Sequence, residues 1–269
     1  MILQNYLNQA YLNRIDYRGK LETTAVSLRQ LQFAHLVTVP FENLSIHTGE
    51  PIVLETAALF DKVVRRRRGG FCYEANGLFA ALLRALGFEV SLLAAGVARG
   101  DGSFGPPFDH MALLVELEER WLVDVGFGDS FLRPLRLDEP GEQIQGRQAY
   151  RIIPHPSGHP SGHPSGHDNQ FLLQQRDGTE APWLPQYRFA LHAYDYADYA
   201  AMCHYHQTSP DSHFTQGRVC SRATTDGGRL TLRHDRLIIT APDGSKQEQK
   251  VENEAEYTAV LQQQFGITL

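Results

Sequence analysis

The texture of the chain changes once, near residue 88, and that change limits what it can fold into. Before it, apolar residues recur at helical spacing: Tyr6, Leu7, Ala10 and Tyr11 share one face, as do Leu28, Leu31 and His35. From Glu89 onward the pattern becomes short apolar runs separated by turn residues, over 90–97, 111–117, 121–125, 150–153 and 171–174. A helix is predicted over 195–206, stopped by Thr208-Ser209-Pro210. Then come a hairpin from 229–233 and 236–240 and a closing helix over 252–265. With 269 residues, 42% of them hydrophobic and 21% charged, the chain can bury a sizeable core in two or three subdomains.

The last helix before the change starts in an unusual setting, Arg68-Gly69-Gly70-Phe71-Cys72-Tyr73-Glu74. The glycine pair lets the chain turn sharply into a helix with an apolar stripe of Leu78, Phe79, Leu82, Leu83 and Leu86, ended by Gly87. Cys72 is thereby expected at a helix N-terminus, where unpaired N–H groups and the macrodipole favour a thiolate. The bland alternative is a buried structural cysteine. Downstream, His110 opens the apolar run Met111-Ala112-Leu113-Leu114-Val115, and Asp124 stands between Val123 and Val125 in a second run. Cysteine, histidine and aspartate make up a thiol nucleophile with its base and orienter. A carboxylate in an apolar strand needs a partner, and His110 is the economical one. Glu118-Glu119-Arg120 is read as the turn between the two strands. A simple hairpin then puts Asp124 opposite Leu113 or Leu114, about four residues or roughly 13 Å from His110, so contact requires a bulge, a bend or another pairing. Alternatively, Asp124 bonds only to backbone and His110 to a loop carbonyl.

These segments carry a resemblance to the arylamine N-acetyltransferases, in their bacterial form. The match runs through Val39-Pro40-Phe41-Glu42-Asn43-Leu44, Arg67 to Glu74, His110 to Val115 and Trp121 to Gly128, with Thr208 to Phe214 a weaker fifth segment. The resemblance implies an α+β fold with a cysteine-protease and transglutaminase-like core, in three parts. These are a helical bundle over 1–88, a β-barrel-like domain over 89–190 and a smaller α/β lid over 191–269. It implies Cys72 as nucleophile, His110 as base and Asp124 as orienting carboxylate. Phe127 and Gly128 match the lining of the acyl and amine pocket, and Phe41, Val97 and Phe214 fall at plausible pocket positions. The implied reaction is ping-pong transfer of acetyl from acetyl-coenzyme A, a co-substrate, to an aromatic amine or hydrazine, with no metal. An amide synthase of the same superfamily and a papain-like or transglutaminase-like thiol hydrolase are the alternatives.

The rest of the sequence narrows the setting. A net charge of −6 and a pI near 6.0 argue against general nucleic-acid binding. Cys72, Cys203 and Cys220 make no disulfide framework, which points to a reducing compartment. The start of the chain lacks a basic region followed by an apolar core, and no run has membrane-spanning length, so a soluble cytoplasmic enzyme is expected. The repeat His155-Pro156-Ser157-Gly158, echoed from His159 and His163, cannot be helical; it could collect a metal but reads as a lengthened surface loop. The run Arg65 to Arg68 could steer phosphates, or form a solvated face with one arginine turned inward; an inward pair with Glu42 is what the resemblance suggests. His204 and His206, two apart on a predicted helix, should point to different faces.

Overall fold

Two helices open the chain, α1 (Ile2–Arg14) and α2 (Ala25–Leu36), the latter capped by Thr24, whose side chain accepts from the Ser27 N–H. The computed structural model describes residues 2–155 and 170–269, with side chains from Leu7 onward. A two-residue strand, β1 (Phe41–Glu42), precedes α3 (Leu44–Thr48) and α4 (Thr56–Phe60), which widens into a π turn (Asp61–Arg65). Helix α5 (Cys72–Ala85) follows and buries Leu78, Phe79, Leu82 and Leu83 of the predicted stripe.

Eight antiparallel strands come next: β2 (Glu89–Val97), β3 (His110–Glu116), β4 (Arg120–Val123), β5 (Leu135–Arg136), β6 (Gln143–Gln145), β7 (Gln148–His155), β8 (Gln170–Asp177) and β9 (Leu184–Tyr194). Their order in the sheet is β5-β4-β3-β2-β9-β8-β7-β6. The alternation of β3 decides what touches what: Met111, Leu113 and Val115 face the helices, while Ala112 and Leu114 face the sheet's own interior with Tyr187 and Phe189. The two edge strands nearly meet. Gln143 Oε1 accepts from Arg136 N–H at 2.7 Å and its Nε2 donates to Arg136 C=O at 2.9 Å. Gln145 likewise accepts from the N–H groups of Leu132 and Arg133 and donates to the Arg133 carbonyl. Side-chain amides thus stand in for ladder bonds and turn the sheet into a nearly closed barrel.

After a 3₁₀ turn (Tyr196–Tyr199), α6 (Ala200–Thr208) and α7 (His213–Gln216) return to the helices, burying Tyr199, Cys203 and Phe214 in the same core as Cys72 and Phe79. The chain ends in β10 (Val219–Ala223), β11 (Arg229–Arg233), β12 (Arg236–Thr240) and β13 (Lys246–Lys250), covered by α8 (Glu254–Val260) and its terminal π turn (Leu261–Phe265). β1 is the edge strand of this second sheet, Phe41 pairing with Ser221 and Glu42 with Cys220.

The architecture is α+β, as expected, and the hairpin β11–β12 stands where it was predicted. Several strands were not expected. β9 has a proline, Pro185, at the point where its register with β8 shifts, and β13 is Lys-Gln-Glu-Gln-Lys, fully exposed. The repeat over 156–167 lies outside the described residues, as does the side chain of Tyr6. No helix of the described residues is long and apolar enough to cross a membrane.

Candidate active site

Cys72 is the first residue of α5, and the segment before it is held from three sides. Neither Gly69 nor Gly70 has a positive φ, so the expectation that the pair supplies a special backbone turn is corrected. Their role is space. A Cβ on Gly69 would lie 1.9 Å from the Pro40 carbonyl oxygen, and one on Gly70 would lie 2.7 Å from Glu74 Cβ. Glu74 reaches back to accept the Phe71 N–H at 3.2 Å, satisfying an open donor at the helix start. Beneath this turn lies a buried ion cluster. Lys62 Nζ is 2.7 Å from Glu74 and 3.9 Å from Glu42, and Arg68 makes a two-pronged contact with Glu42. Burial alone would raise both carboxyls. At Glu42 the charges of Lys62 and Arg68 win and hold it low; at Glu74 burial and the neighbouring Glu42 win and push it up. The arginine run is therefore divided. Arg68 turns inward, while Arg65 and Arg66 pair with Asp61 and Glu50 at the surface.

His110 begins β3 and Asp124 follows the last residue of β4. The observed register pairs Leu113 with Val123 and Leu114 with Leu122. Asp124 therefore falls beside Ala112, two residues from His110 and not four, because Glu116 pairs with Arg120 and the three-residue turn is 117–119, one residue earlier than the one expected. That offset of roughly 7 Å is within the span of the two side chains. His110 Nε2 sits 2.7 Å from Asp124 Oδ2. Asn76 fixes the carboxylate on its other side: Nδ2 donates to Asp124 Oδ1 at 2.9 Å and to the Met111 carbonyl at 2.6 Å, and Oδ1 accepts from the Val125 N–H. Gly126 N–H also donates to Asp124 Oδ1 at 2.8 Å. A Cβ on Gly126 would stand 2.7 Å from Cys72 Cα, so the turn after Asp124 lies directly on the cysteine backbone.

The backbone N–H of Met111, the residue after His110, is near enough to Cys72 to favour its charged form. Cysteine, histidine and aspartate thus meet in one buried place, with 2%, 3% and 3% of their surfaces exposed. The expectation that the helix N-terminus makes Cys72 a ready thiolate is corrected here. Burial pushes the thiol well up, opposed by the Met111 N–H and reinforced by the nearby Asp124, Cys203 and Asp109. Cys72, Cys203 and Cys220 are all free and buried.

A cleft of about 940 Å³ opens beside this cluster. Phe41, Phe127, Gly128 and Phe214 line it, together with Phe33 and Tyr150. The Phe127 ring centre is 5.2 Å from that of His110, so this one side chain joins the cleft to the imidazole. Phe214 stands 6.2 Å from Phe41 and 5.4 Å from Phe71. Val97 is elsewhere: it ends β2 opposite Tyr187 and does not line the cleft.

A family profile described as N-acetyltransferase matches residues 24–269. The arylamine N-acetyltransferase of Escherichia coli is 34% identical over 259 residues, 96% of this chain and 87% of that protein. The chain belongs to the arylamine N-acetyltransferase family. Among solved family members, the enzyme from Salmonella typhimurium aligns with a TM-score of 0.86 at 32% identity, covering 97% of this chain and 91% of that one. The Mycobacterium marinum arylamine N-acetyltransferase in complex with CoA aligns with a TM-score of 0.83 at 32% identity, over 96% of this chain and 92% of that one.

Within this N-acetyltransferase, sequence reasoning missed three residues of the cluster. Asn76 had a signal, being a polar side chain one helical turn after Cys72 on the same face. Gln32, which accepts the Asp124 N–H at 3.3 Å and donates to the Phe131 carbonyl, had none. Tyr187 comes from the unpredicted strand β9; its ring packs 5.1 Å from His110, and burial, with the charge of Asp124 adding to it, pushes its phenol well up. Among the described residues, no group of three His, Cys, Asp or Glu side chains is placed to hold a metal ion.

Proposed function

We propose that the chain transfers an acetyl group from acetyl-coenzyme A to the nitrogen of arylamines, arylhydroxylamines or hydrazines, with Cys72 as nucleophile, His110 as base and Asp124 as its orienter. The observation that carries this reading is the 2.7 Å contact from His110 Nε2 to Asp124, in a cluster packed directly on the Cys72 backbone. Asp124 fixes Nε2 as the protonated nitrogen and leaves Nδ1 to take the thiol proton. The thiolate adds to the thioester carbonyl, the carbon–sulfur bond to coenzyme A breaks, and the departing thiolate recovers the proton from imidazole. An amine then adds to the acetyl-cysteine and gives a proton to His110. The bond to Cys72 breaks, releasing the amide and the free cysteine. Burial disfavours a lone thiolate, so an imidazolium beside Cys72 would stabilise the negative charge, and both charges vanish on acetylation. The aromatic wall of Phe41, Phe127 and Phe214 suits a flat ring whose nitrogen is neutral at pH 7.

Intact-protein mass after brief exposure to acetyl-coenzyme A without acceptor tests this. One added acetyl on the wild type and none on Cys72→Ala, discharged by 4-aminobenzoate, is the expected result. Continuous release of coenzyme A without amine would replace this reading with a thiol hydrolase.

A further inference from the structure

A second Asp, His and Ser meet immediately behind His110, and the acetyl-transfer steps make no use of them. His206, on α6 and 2% exposed, places Nδ1 3.0 Å from Ser212 Oγ and Nε2 3.4 Å from Asp109 Oδ1. Asp109 is the residue before His110. Ser212 precedes α7 and accepts the Phe214 N–H at 3.3 Å, so it shapes the turn that presents Phe214 to the cleft.

The proton positions follow from the partners. The Nε2 edge faces a carboxylate and so carries the ring proton in the neutral imidazole. Nδ1 is then an acceptor, and the Ser212 hydroxyl, whose lone pair already receives the Phe214 N–H, donates to it. Asp109 is a carboxylate here. Burial would raise it, but the facing His206 ring, the Val97 N–H at 3.3 Å and the nearby His110 outweigh burial and hold it low. The resemblance to a serine nucleophile with base and acid goes no further, since Ser212 is buried at 2% exposure and does not line the cleft. Its place in the fold indicates a fastening.

We propose that His206 is a positioning residue that locks the loop from Ser209 to Phe214 onto Asp109, and so sets the Phe214 wall of the cleft relative to His110 for capture of the amine. This rests on the acetyl-transfer reading and adds a residue to it. Three further observations fit. The His206 ring lies 5.2 Å from Phe214, edge to face, and 6.1 Å from Tyr73 in a stacked arrangement. Tyr73 in turn donates to the Phe108 carbonyl at 2.6 Å, holding a residue at φ +67° just before Asp109 and His110. From the opposite side, Asn43 and His47 reach the Phe214 carbonyl at 2.9 and 3.0 Å, tying the same loop to the segment that carries Phe41. The 3.4 Å contact to Asp109 is the weak link of this chain, since His206 Nε2 faces the carboxylate without a well-formed hydrogen bond.

The two half-reactions should feel this fastening differently. The acetyl thioester arrives on a flexible aliphatic arm and needs only Cys72 and His110, which Asn76, Met111 and Gly126 hold independently. An arylamine is rigid; its ring must rest against Phe214 while its nitrogen reaches the acetyl carbon, so a small shift of that wall is felt directly.

The test separates the half-reactions in wild type, His206→Phe, His206→Gln and Ser212→Ala. Acetyl-enzyme formation is followed by rapid-quench mass measurement, and discharge is then followed against 4-methoxyaniline concentration. For His206→Phe the expected result is loading within about twofold of wild type and an amine KM raised about tenfold. Ser212→Ala should give a smaller shift of the same kind, and His206→Gln, which restores a donor to Asp109, should recover most of the loss. Equal decline of loading and discharge, or an amine KM unchanged in both His206→Phe and Ser212→Ala, would overturn the proposal. Failure of the wild type to form any acetyl-enzyme would overturn the acetyl-transfer reading before a variant is compared.

Discussion

A single buried imidazole sets an acid limit on this molecule. His35 accepts the Tyr11 hydroxyl at Nδ1, packs 5.3 Å from Phe79, and keeps Nε2 without a partner. Burial, with the Arg14 charge adding, pushes its pKa from 6.5 to about 3. The folded form therefore binds fewer protons than the unfolded one between those values. Its contribution is complete above pH 6.5 and is lost as pH falls toward 3, roughly 4 to 5 kcal/mol over the full window. Urea unfolding at stepped pH should show this slope, and His35→Gln should flatten it below pH 6.5 while costing about 1 to 2 kcal/mol at pH 8. The candidate site was more legible at this scale than the core histidine. Cys72, His110 and Asp124 each stand out locally, as a thiol after a tight turn and as polar residues in apolar runs. Tyr187 and Gln32 reach the same cluster from segments whose own patterns say nothing of it, and only tertiary structure brings them in.

At the scale of elements, the lead into α5 depends on charge hidden under it. Lys62, on the π turn, is the cation between Glu74, which caps the Cys72 helix, and Glu42 on β1. Burial pulls the lysine down, yet the two carboxylates outweigh burial and hold it above its ordinary value. Lys62→Met keeps the stem and removes the charge, leaving Glu74 buried and unbalanced. The expected loss is about 3 to 5 kcal/mol in denaturant unfolding, with faster alkylation of Cys72 by iodoacetamide as the helix start loosens. Lys62→Arg should lose much less. Elements were legible in the sequence in proportion to their apolar content. β3 and β4 are buried on both faces and announced themselves as runs, and α5 showed its stripe. β13 carries no apolar residue and is held to β12 by ladder bonds and the Arg236–Glu248 pair, while β5 and β6 are too short to show a period.

For the molecule as a whole, the barrel seam is the place where order depends on two side chains. Gln143→Ala with Gln145→Ala removes every bond of the seam described above and leaves both edge strands open to water. A loss of about 2 kcal/mol is expected, with amide hydrogen exchange of residues 132, 133 and 136 rising well before that of β3. Cleft residues 144 to 148 belong to the same edge, so acceptor binding should weaken in the double variant. A different fastening operates across the cleft. Phe41 pairs with Ser221 on one side and bridges to Gly70 on the other, and the Glu42 N–H donates to the Gly70 carbonyl at 3.1 Å. The two residues of β1 thus hinge the cysteine's lead-in to the sheet made by the last fifty residues. Heat that peels this sheet away also unpins the thiol, so the reactive end and the distal end of the chain have a single melting event between them.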